Sequence, residues 1–147
     1  MNSISALAIA EKIIAKTNTE CGDTISNLKL QKLLYYMQGY HLAFFDTELF
    51  SEDIVAWQYG PVVEVVYGYY QQYGKNAINV PENNDNIICL ADEQEDLFNS
   101  VYKEYNKFSA IELMDMTHDE YPWKTTALKA VISKDKLKDF FKTMIED

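Results

Sequence analysis

The amino-acid sequence predicts a mainly α protein: a compact single domain over residues 1–147, with about six helices and one small β-hairpin. Three observations support this prediction. Apolar residues recur every three or four positions in several segments, as they do on the buried side of a helix. Helix-capping residues, among them Ser26, Ser109 and Ser133, precede such segments. By contrast, residues 54–59 (IVAWQY) alternate β-branched and aromatic side chains, which is typical of a strand.

The first two helices are predicted from their apolar spacing. Residues 5–16 form the first helix, and the second follows Ser26. The apolar side of the second helix is formed by Leu30, Leu33, Leu34, Met37, His41 and Phe44. The residues that fall largely elsewhere are Lys29, Lys32 and Tyr36. Gly39 costs about 1 kcal/mol relative to alanine inside a helix, so its presence indicates either close backbone packing or simple tolerance.

A turn at Gly60 and Pro61 follows the predicted strand. Proline is favoured at the first position of a helix, where its missing N–H costs nothing. Pro61 is therefore predicted to start a third helix that ends at Gly74. Residues 77–81 are predicted to form a second short strand that pairs with the first. Trp57 is expected to anchor the core.

Three further helices are predicted towards the C-terminus. The first, residues 91–108, has acidic residues in its first turn, which suits the helix dipole. The next begins with a capping box, Ser109 and Glu112, and ends before Pro122, because the residue preceding a proline disfavours helical backbone. The last follows Ser133. Its inward side is predicted to comprise Leu137, Phe140, Phe141 and Met144.

Charge and composition restrict the function classes. The net charge is −10, and all 13 basic residues are lysine. Because phosphate neutralisation dominates nucleic-acid affinity, and arginine supplies the bidentate fork, direct binding to nucleic acid is not expected. Cys21 and Cys89 make no disulfide framework, the N-terminus lacks the basic start of a signal peptide, and no segment approaches about 18 apolar residues. A cytoplasmic protein without membrane association is therefore predicted.

The two histidines offer little chemistry. His41 lies on the apolar side of the second helix and is interpreted as a hydrogen-bonded core residue. His118 stands beside Asp119 and Glu120, which suggests a general-base cluster or a metal site, but a metal needs three or four ligands at workable spacing. Phosphate-binding glycine loops and nucleophile signatures are absent from the sequence. No metal, cofactor or enzymatic activity is predicted, although a small hydrolase using His118 with Asp119 or Glu120 stays open as an alternative.

The number of tyrosines and the clustering of acidic residues are the unusual features of the sequence that bear on its surface. Eleven tyrosines are too many for one small core, and tyrosine is enriched at protein interfaces. The predicted partner-binding residues are Lys29, Lys32, Tyr36, Tyr59 and Tyr70. Six acids occur with no lysine between them: Glu82, Asp85, Asp92, Glu93, Glu95 and Asp96. They form either a solvated loop and helix start, or an acidic patch that attracts a basic partner.

Three stretches together resemble the Panacea domain, also described as the SocA-like antitoxin or phage-associated GepA family. They are LKLQKLLYYMQGYHLA (residues 28–43), LFSEDIVAWQYGPVVEVVY (residues 49–67) and THDEYPW (residues 117–123). The AWxYGPV element within the second stretch is the most specific of them. The resemblance implies a mostly helical antitoxin, often encoded in prophages or mobile elements, that neutralises a toxin encoded beside it by direct protein contact.

The resemblance also leaves an alternative open, because one relative is a proteolytic adaptor that delivers its toxin to a protease. Several motif positions are interpreted as structural: Trp57, Gly60, Pro61, His118, Pro122 and Trp123. Of these, His118 and Trp123 are expected to hold the C-terminal part of the chain against the Trp57 region.

Overall fold

The computed structural model describes residues 4–21, 25–74, 76–78 and 87–145. It confirms a mainly α protein. Its seven α-helices in the described residues are α1 (Ala6–Cys21), α2 (Asn27–Phe45), α3 (Glu64–Tyr70), α4 (Asp92–Tyr105), α5 (Ala110–His118), α6 (Tyr121–Lys124) and α7 (Lys134–Ile145). A 3-10 turn, Gln71–Tyr73, continues α3. Its strands are β1 (Ile54–Trp57), β2 (Gly60–Val62) and β3 (Val131–Ile132), which form an antiparallel sheet in the order β2-β1-β3.

Helix α2 is the centre of the fold. Ser26 caps it as predicted, since its Oγ accepts the backbone N–H of Lys29 at 3.2 Å. Helices α1, α4, α5 and α7 and the hairpin pack around it. The predicted division into an apolar and a polar side is therefore wrong: Lys32 and Tyr36 are fully buried, whereas Phe44 is 53% exposed near the end of the helix. A helix with neighbours on every side buries its polar residues as well.

Gly39 marks the closest approach to α2. The ring of Phe141 on α7 occupies the space that a Cβ at residue 39 would need. This confirms close backbone packing as the reason for glycine there. Within α7, Leu137 and Phe141 are buried as predicted, but Met144 is 48% exposed, so its predicted inward position is wrong. Met144 lies on the outer side of the helix, since the next residue, Ile145, packs against the core.

The hairpin differs from the prediction. Pro61 does not start a helix: it lies in β2, opposite Ala56 of β1, and α3 begins at Glu64. An outer strand tolerates proline because the missing N–H faces away from the ladder. The predicted partner of β1, residues 77–81, is also wrong, since β1 pairs with β2 and β3. Ala77 makes only an isolated bridge with Ser26, and residues 79–81 lie outside the described residues.

The C-terminal part contains two elements that the pattern did not predict. Helix α5 ends at His118 as expected, and its capping box is formed, with Ser109 Oγ accepting from the N–H of Glu112 at 3.1 Å. Pro122 then lies in the first turn of the four-residue helix α6, where its missing N–H has no helical partner to lose. Strand β3 has two residues, too few for any periodicity.

Among the described residues, no helix has the length and apolarity to span a bilayer.

Candidate functional site

The three segments of the Panacea-like motif meet in one place, which we call the Gly60 junction: Gln31 and Lys32 of α2, Gly60 and Pro61 of the hairpin, and Thr117 of α5. Gly60 is buried and has a φ of +113°, a conformation that residues with a Cβ rarely adopt. A Cβ there would lie 2.5 Å from Lys32 Cε and 3.0 Å from Thr117 Oγ1. Residue 60 is therefore glycine for two reasons: its backbone has a positive φ, and its neighbours leave no space for a Cβ.

Lys32 passes beneath this turn without reaching solvent. Its side chain is fully buried, and its Nζ donates a hydrogen bond to the carbonyl of Pro61 at 3.2 Å. Burial lowers the pKa of Lys32 to about 7, because the ammonium form loses its hydration there. Lys32 is therefore a buried residue that connects α2 to the hairpin, and it is not a surface cation.

Gln31 continues the junction towards α3. Its Oε1 accepts the backbone N–H of Val63 at 2.9 Å, and its Nε2 donates to Asn27 Oδ1 at 2.9 Å. Asn27 in turn donates to the carbonyl of Tyr67 at 3.1 Å. These bonds satisfy backbone groups at the point where the strand changes to a helix.

A tyrosine–carboxylate cluster lies on the next turn of α2. Tyr35 and Tyr36 donate to the two carboxylate oxygens of Glu120, at 3.0 and 2.9 Å respectively. The ring of Tyr36 stacks on Tyr105 with centroids 3.9 Å apart, and the hydroxyls of Tyr105 and Tyr40 are 2.7 Å apart. The cluster thereby connects α2, α4 and the α5–α6 turn.

Burial controls the ionisation of this cluster. It raises the pKa of Glu120 to about 7, although the hydrogen bonds from Tyr36 and Tyr35 act in the opposite direction. Burial, together with the charge of Glu120, also raises the pKa of both tyrosines well above the ordinary value. The tyrosines are therefore permanent donors, and Glu120 is the group of this cluster that titrates near neutrality.

Glu120→Gln is expected to change the pH dependence of stability. Because the pKa of Glu120 is raised in the folded state, its contribution is greatest below about 4.5 and is lost as pH rises towards 7. Between pH 5 and pH 8 this group lowers the free energy of unfolding by about 2–3 kcal/mol. Urea titrations across that range should show the decrease in wild type relative to Glu120→Gln. The exposed control Glu48→Gln should follow wild type, and parallel profiles for wild type and Glu120→Gln would refute the assignment.

His118 and Trp123 connect the C-terminal part to the sheet. Their rings are stacked with centroids 4.1 Å apart, and Trp123 Nε1 donates to the carbonyl of Trp57 at 2.8 Å. The ring of Trp57 is only half-buried and packs on Tyr67, so the expectation that this ring anchors the core is wrong. The backbone of Trp57 makes the connection because β1 presents its carbonyl to α6.

The acid–base candidates do not converge. His118 stacks on Trp123, the exposed Asp119 ends α5, and the Glu120 carboxylate is held by Tyr35 and Tyr36. The Nε2 atom of His118 is buried and has no hydrogen-bond partner among the described residues. The described part of the chain contains no group of three or more potential metal ligands. His41 is hydrogen-bonded as interpreted, with its Nδ1 2.6 Å from the carbonyl of Thr47.

The five predicted partner-binding residues differ in how far they are exposed to solvent. The predicted exposure is wrong for Lys32, Tyr36 and Tyr70, which are buried because α2 and α3 are covered by neighbouring helices. Lys29 is half-buried, and its Nζ donates to the carbonyl of Asn106 at 2.8 Å. Tyr59, in the hairpin turn, is 61% exposed. Tyr59 therefore retains an accessible ring, and its role in binding stays a prediction.

The sequence did not predict the surface grooves, because each combines residues from distant segments, and two of them bear on binding. The first, which we call the acidic groove, has a volume of about 420 Å³ and lies between α2, α4 and the end of α7. The second, which we call the aromatic groove, has a volume of about 660 Å³ and is lined by Trp57, Tyr59, Tyr67, Ile111 and Met114 among others. Glu82 and Asp85 of the acidic run lie outside the described residues.

Comparison with known proteins identifies this architecture. Residues 30–124, which include the whole Gly60 junction and the tyrosine–carboxylate cluster, match the family described as Antitoxin SocA-like, Panacea domain. The chain belongs to that family, as its motifs predicted. It is similar to the protein named Antitoxin SocA from Caulobacter vibrioides (strain NA1000 / CB15N), with 30% identity over 135 residues, covering 85% of this chain and 71% of that protein. No solved structure matches the chain.

Proposed function

We propose that this protein is the antitoxin of a toxin–antitoxin pair and that it neutralises a toxin encoded nearby by direct protein–protein binding. The observation that carries the proposal is its membership of the SocA-like antitoxin family. Similarity to a protein named as an antitoxin over most of both chains supports it further. We propose that the protein acts without a cofactor and without contacting nucleic acid, in keeping with its net charge of −10.

The contacts inside the fold support a binding role carried by exposed side chains rather than by the buried motif residues. Lys32, Gly60 and Glu120 make internal contacts, so they maintain the scaffold. The large apolar side chains that are left exposed include Phe44, Tyr59, Val65, Tyr69 and Ile111. Apolar and aromatic side chains at the surface are the groups that dominate most protein interfaces. Tyr59 is proposed as one such contact.

Co-expression with the adjacent reading frame tests the proposal. The neighbour alone should arrest growth, and co-expression of this protein should restore growth and yield a complex that co-purifies. A harmless neighbour, or one that stays toxic in the presence of this protein, contradicts the proposal. If instead the toxin level falls and recovers in a protease-deficient host, the protein is an adaptor for proteolysis. A Tyr59→Ala variant should weaken binding by more than about 1 kcal/mol if the ring is a hot spot.

A further inference from the structure

We infer that the acidic groove is the docking site for a basic amphipathic helix of the partner toxin, an inference that rests on the proposed antitoxin function. The groove is formed by one face of α4, the C-terminal turns of α2 and the last residue of α7. It lies away from the Gly60 junction, and most of its lining residues were not singled out by the sequence motifs.

The α4 face has a regular arrangement. Its residues in the groove follow the three- and four-residue spacing of one helix side. They are Glu93, Asp96, Leu97, Ser100, Val101, Glu104 and Tyr105. The buried or half-buried Leu97, Val101 and Tyr105 form the apolar floor, and the exposed acids stand at its edge. This is the surface that a helix with an apolar stripe and basic flanks would complement.

The opposite wall comes from α2. Tyr40 and Phe45 are partly buried, while Phe44 is 53% exposed although it is a large apolar side chain. Ile145 of α7 also lines the groove. Phe44 is thus an exposed aromatic side chain in the lining of a concave apolar surface, where a partner could cover it. Such residues, once desolvated by a partner, are the ones that carry binding energy.

The acidic side chains of the groove favour a partner of positive charge. Glu93, Asp96 and Glu104 line it, and no lysine does so. Of these three acids, only Glu104 has a lysine of the described residues within salt-bridge distance, Lys107 at 3.3 Å. With a net charge of −10, the molecule also attracts cations at long range. A lysine- or arginine-flanked apolar helix fits this charge, whereas a second copy of this acidic chain would be repelled.

The aromatic groove is a weaker candidate for the same helix. Its lining residues carry no charged side chain, so it selects no sign of partner charge. Binding there would be insensitive to the acids of α4. The two grooves can therefore be distinguished by charge reversal.

The test measures binding of the protein encoded by the adjacent reading frame, purified in an inactivated form. Glu93→Lys with Asp96→Lys should reduce the association rate constant at least about tenfold at low salt, with a smaller difference at high salt. The matched control, Asp115→Lys with Asp139→Lys, makes the same change in net charge at exposed positions outside the groove and should have much less effect. Phe44→Ser should weaken affinity about tenfold or more, mainly by faster dissociation.

Thermal unfolding of each variant checks that the fold is retained. Phe44 and both acids are exposed, so only a small loss is expected. Most of it should come from Glu93, which lies in the first turn of α4, where the helix dipole favours an acid. If wild type binds the toxin and the groove variants bind as the control does, the groove inference is wrong while the antitoxin function stands. If wild type does not bind at all, the proposed function fails and the groove inference fails with it. Dimers that dissociate on Phe44→Ser would show that a second copy occupies the groove, which would also overturn the inference.

Discussion

Gly60→Ala is expected to destabilise the protein by about 3 kcal/mol or more, combining backbone strain with overpacking. The φ of +113° is unfavourable for alanine, and the added methyl would overlap Lys32 Cε and press on Thr117 Oγ1. Neither neighbour can withdraw easily, since both side chains are fully buried. Urea unfolding at constant pH measures the loss.

Gly74→Ala is the matched control for this prediction. Gly74 also has a positive φ, +56°, but nothing lies within 4 Å of a Cβ there. Because its ψ is −125°, a combination that residues with a Cβ rarely adopt, its substitution should cost only the conformational strain, about 1–3 kcal/mol. Combining Gly60→Ala with Lys32→Ala should recover part of the loss, because the shortened side chain frees the space. Equal costs at the two glycines, or strict additivity with Lys32→Ala, would show that the contact with Lys32 is not the cause.

Lys32→Met is expected to remove a large pH dependence of stability. Because burial lowers the pKa of Lys32 in the folded state, its stabilising contribution is complete above about 10.5 and is lost as pH falls towards 7. Wild type should therefore gain about 2–3 kcal/mol of unfolding free energy between pH 7.5 and 9.5, a range that stays below the ordinary tyrosine pKa. Methionine at this position should abolish that gain.

Lys103→Met, which replaces an exposed lysine on α4, serves as the control and should keep the wild-type slope. Carbon-13 chemical shifts of the lysine Cε can follow Lys32 directly, and its titration midpoint should lie near 7. A midpoint near 10, or identical slopes for wild type and Lys32→Met, would mean that the amine reaches water. The slope from Lys32 is opposite in sign to that from Glu120, so the two variants separate the two groups.

The motif residues show why the exposure of Lys32 and Tyr36 was predicted wrongly. Lys32 and Tyr36 have polar ends, and a lysine on a helix is usually solvated. Nothing in their immediate sequence indicates that α5, α7 and the hairpin enclose α2 from the remaining sides. The consecutive tyrosines Tyr35 and Tyr36 were the one signal in the sequence that this helix is buried on several sides. A buried tyrosine needs a hydrogen-bond partner, and Glu120 is that partner for both.

The sequence by itself determined the mainly α class, the start of α2 at the Ser26 cap, the capping box at Ser109 and the family. The first three depend on side-chain periodicity and on hydrogen bonds between residues three or four positions apart, so local pattern is sufficient. The family follows from the resemblance of residues 28–43, 49–67 and 117–123 to the Panacea domain. Only the tertiary structure decided that Gly60–Val62 is a strand, that Lys32 and Glu120 are internal, and that the acidic groove exists. The strand results from pairing with the nearby β1, which overrides the local preference of Pro61 for a helix start. The other two result from contacts between residues distant in the chain, and such contacts leave no periodic trace in the sequence.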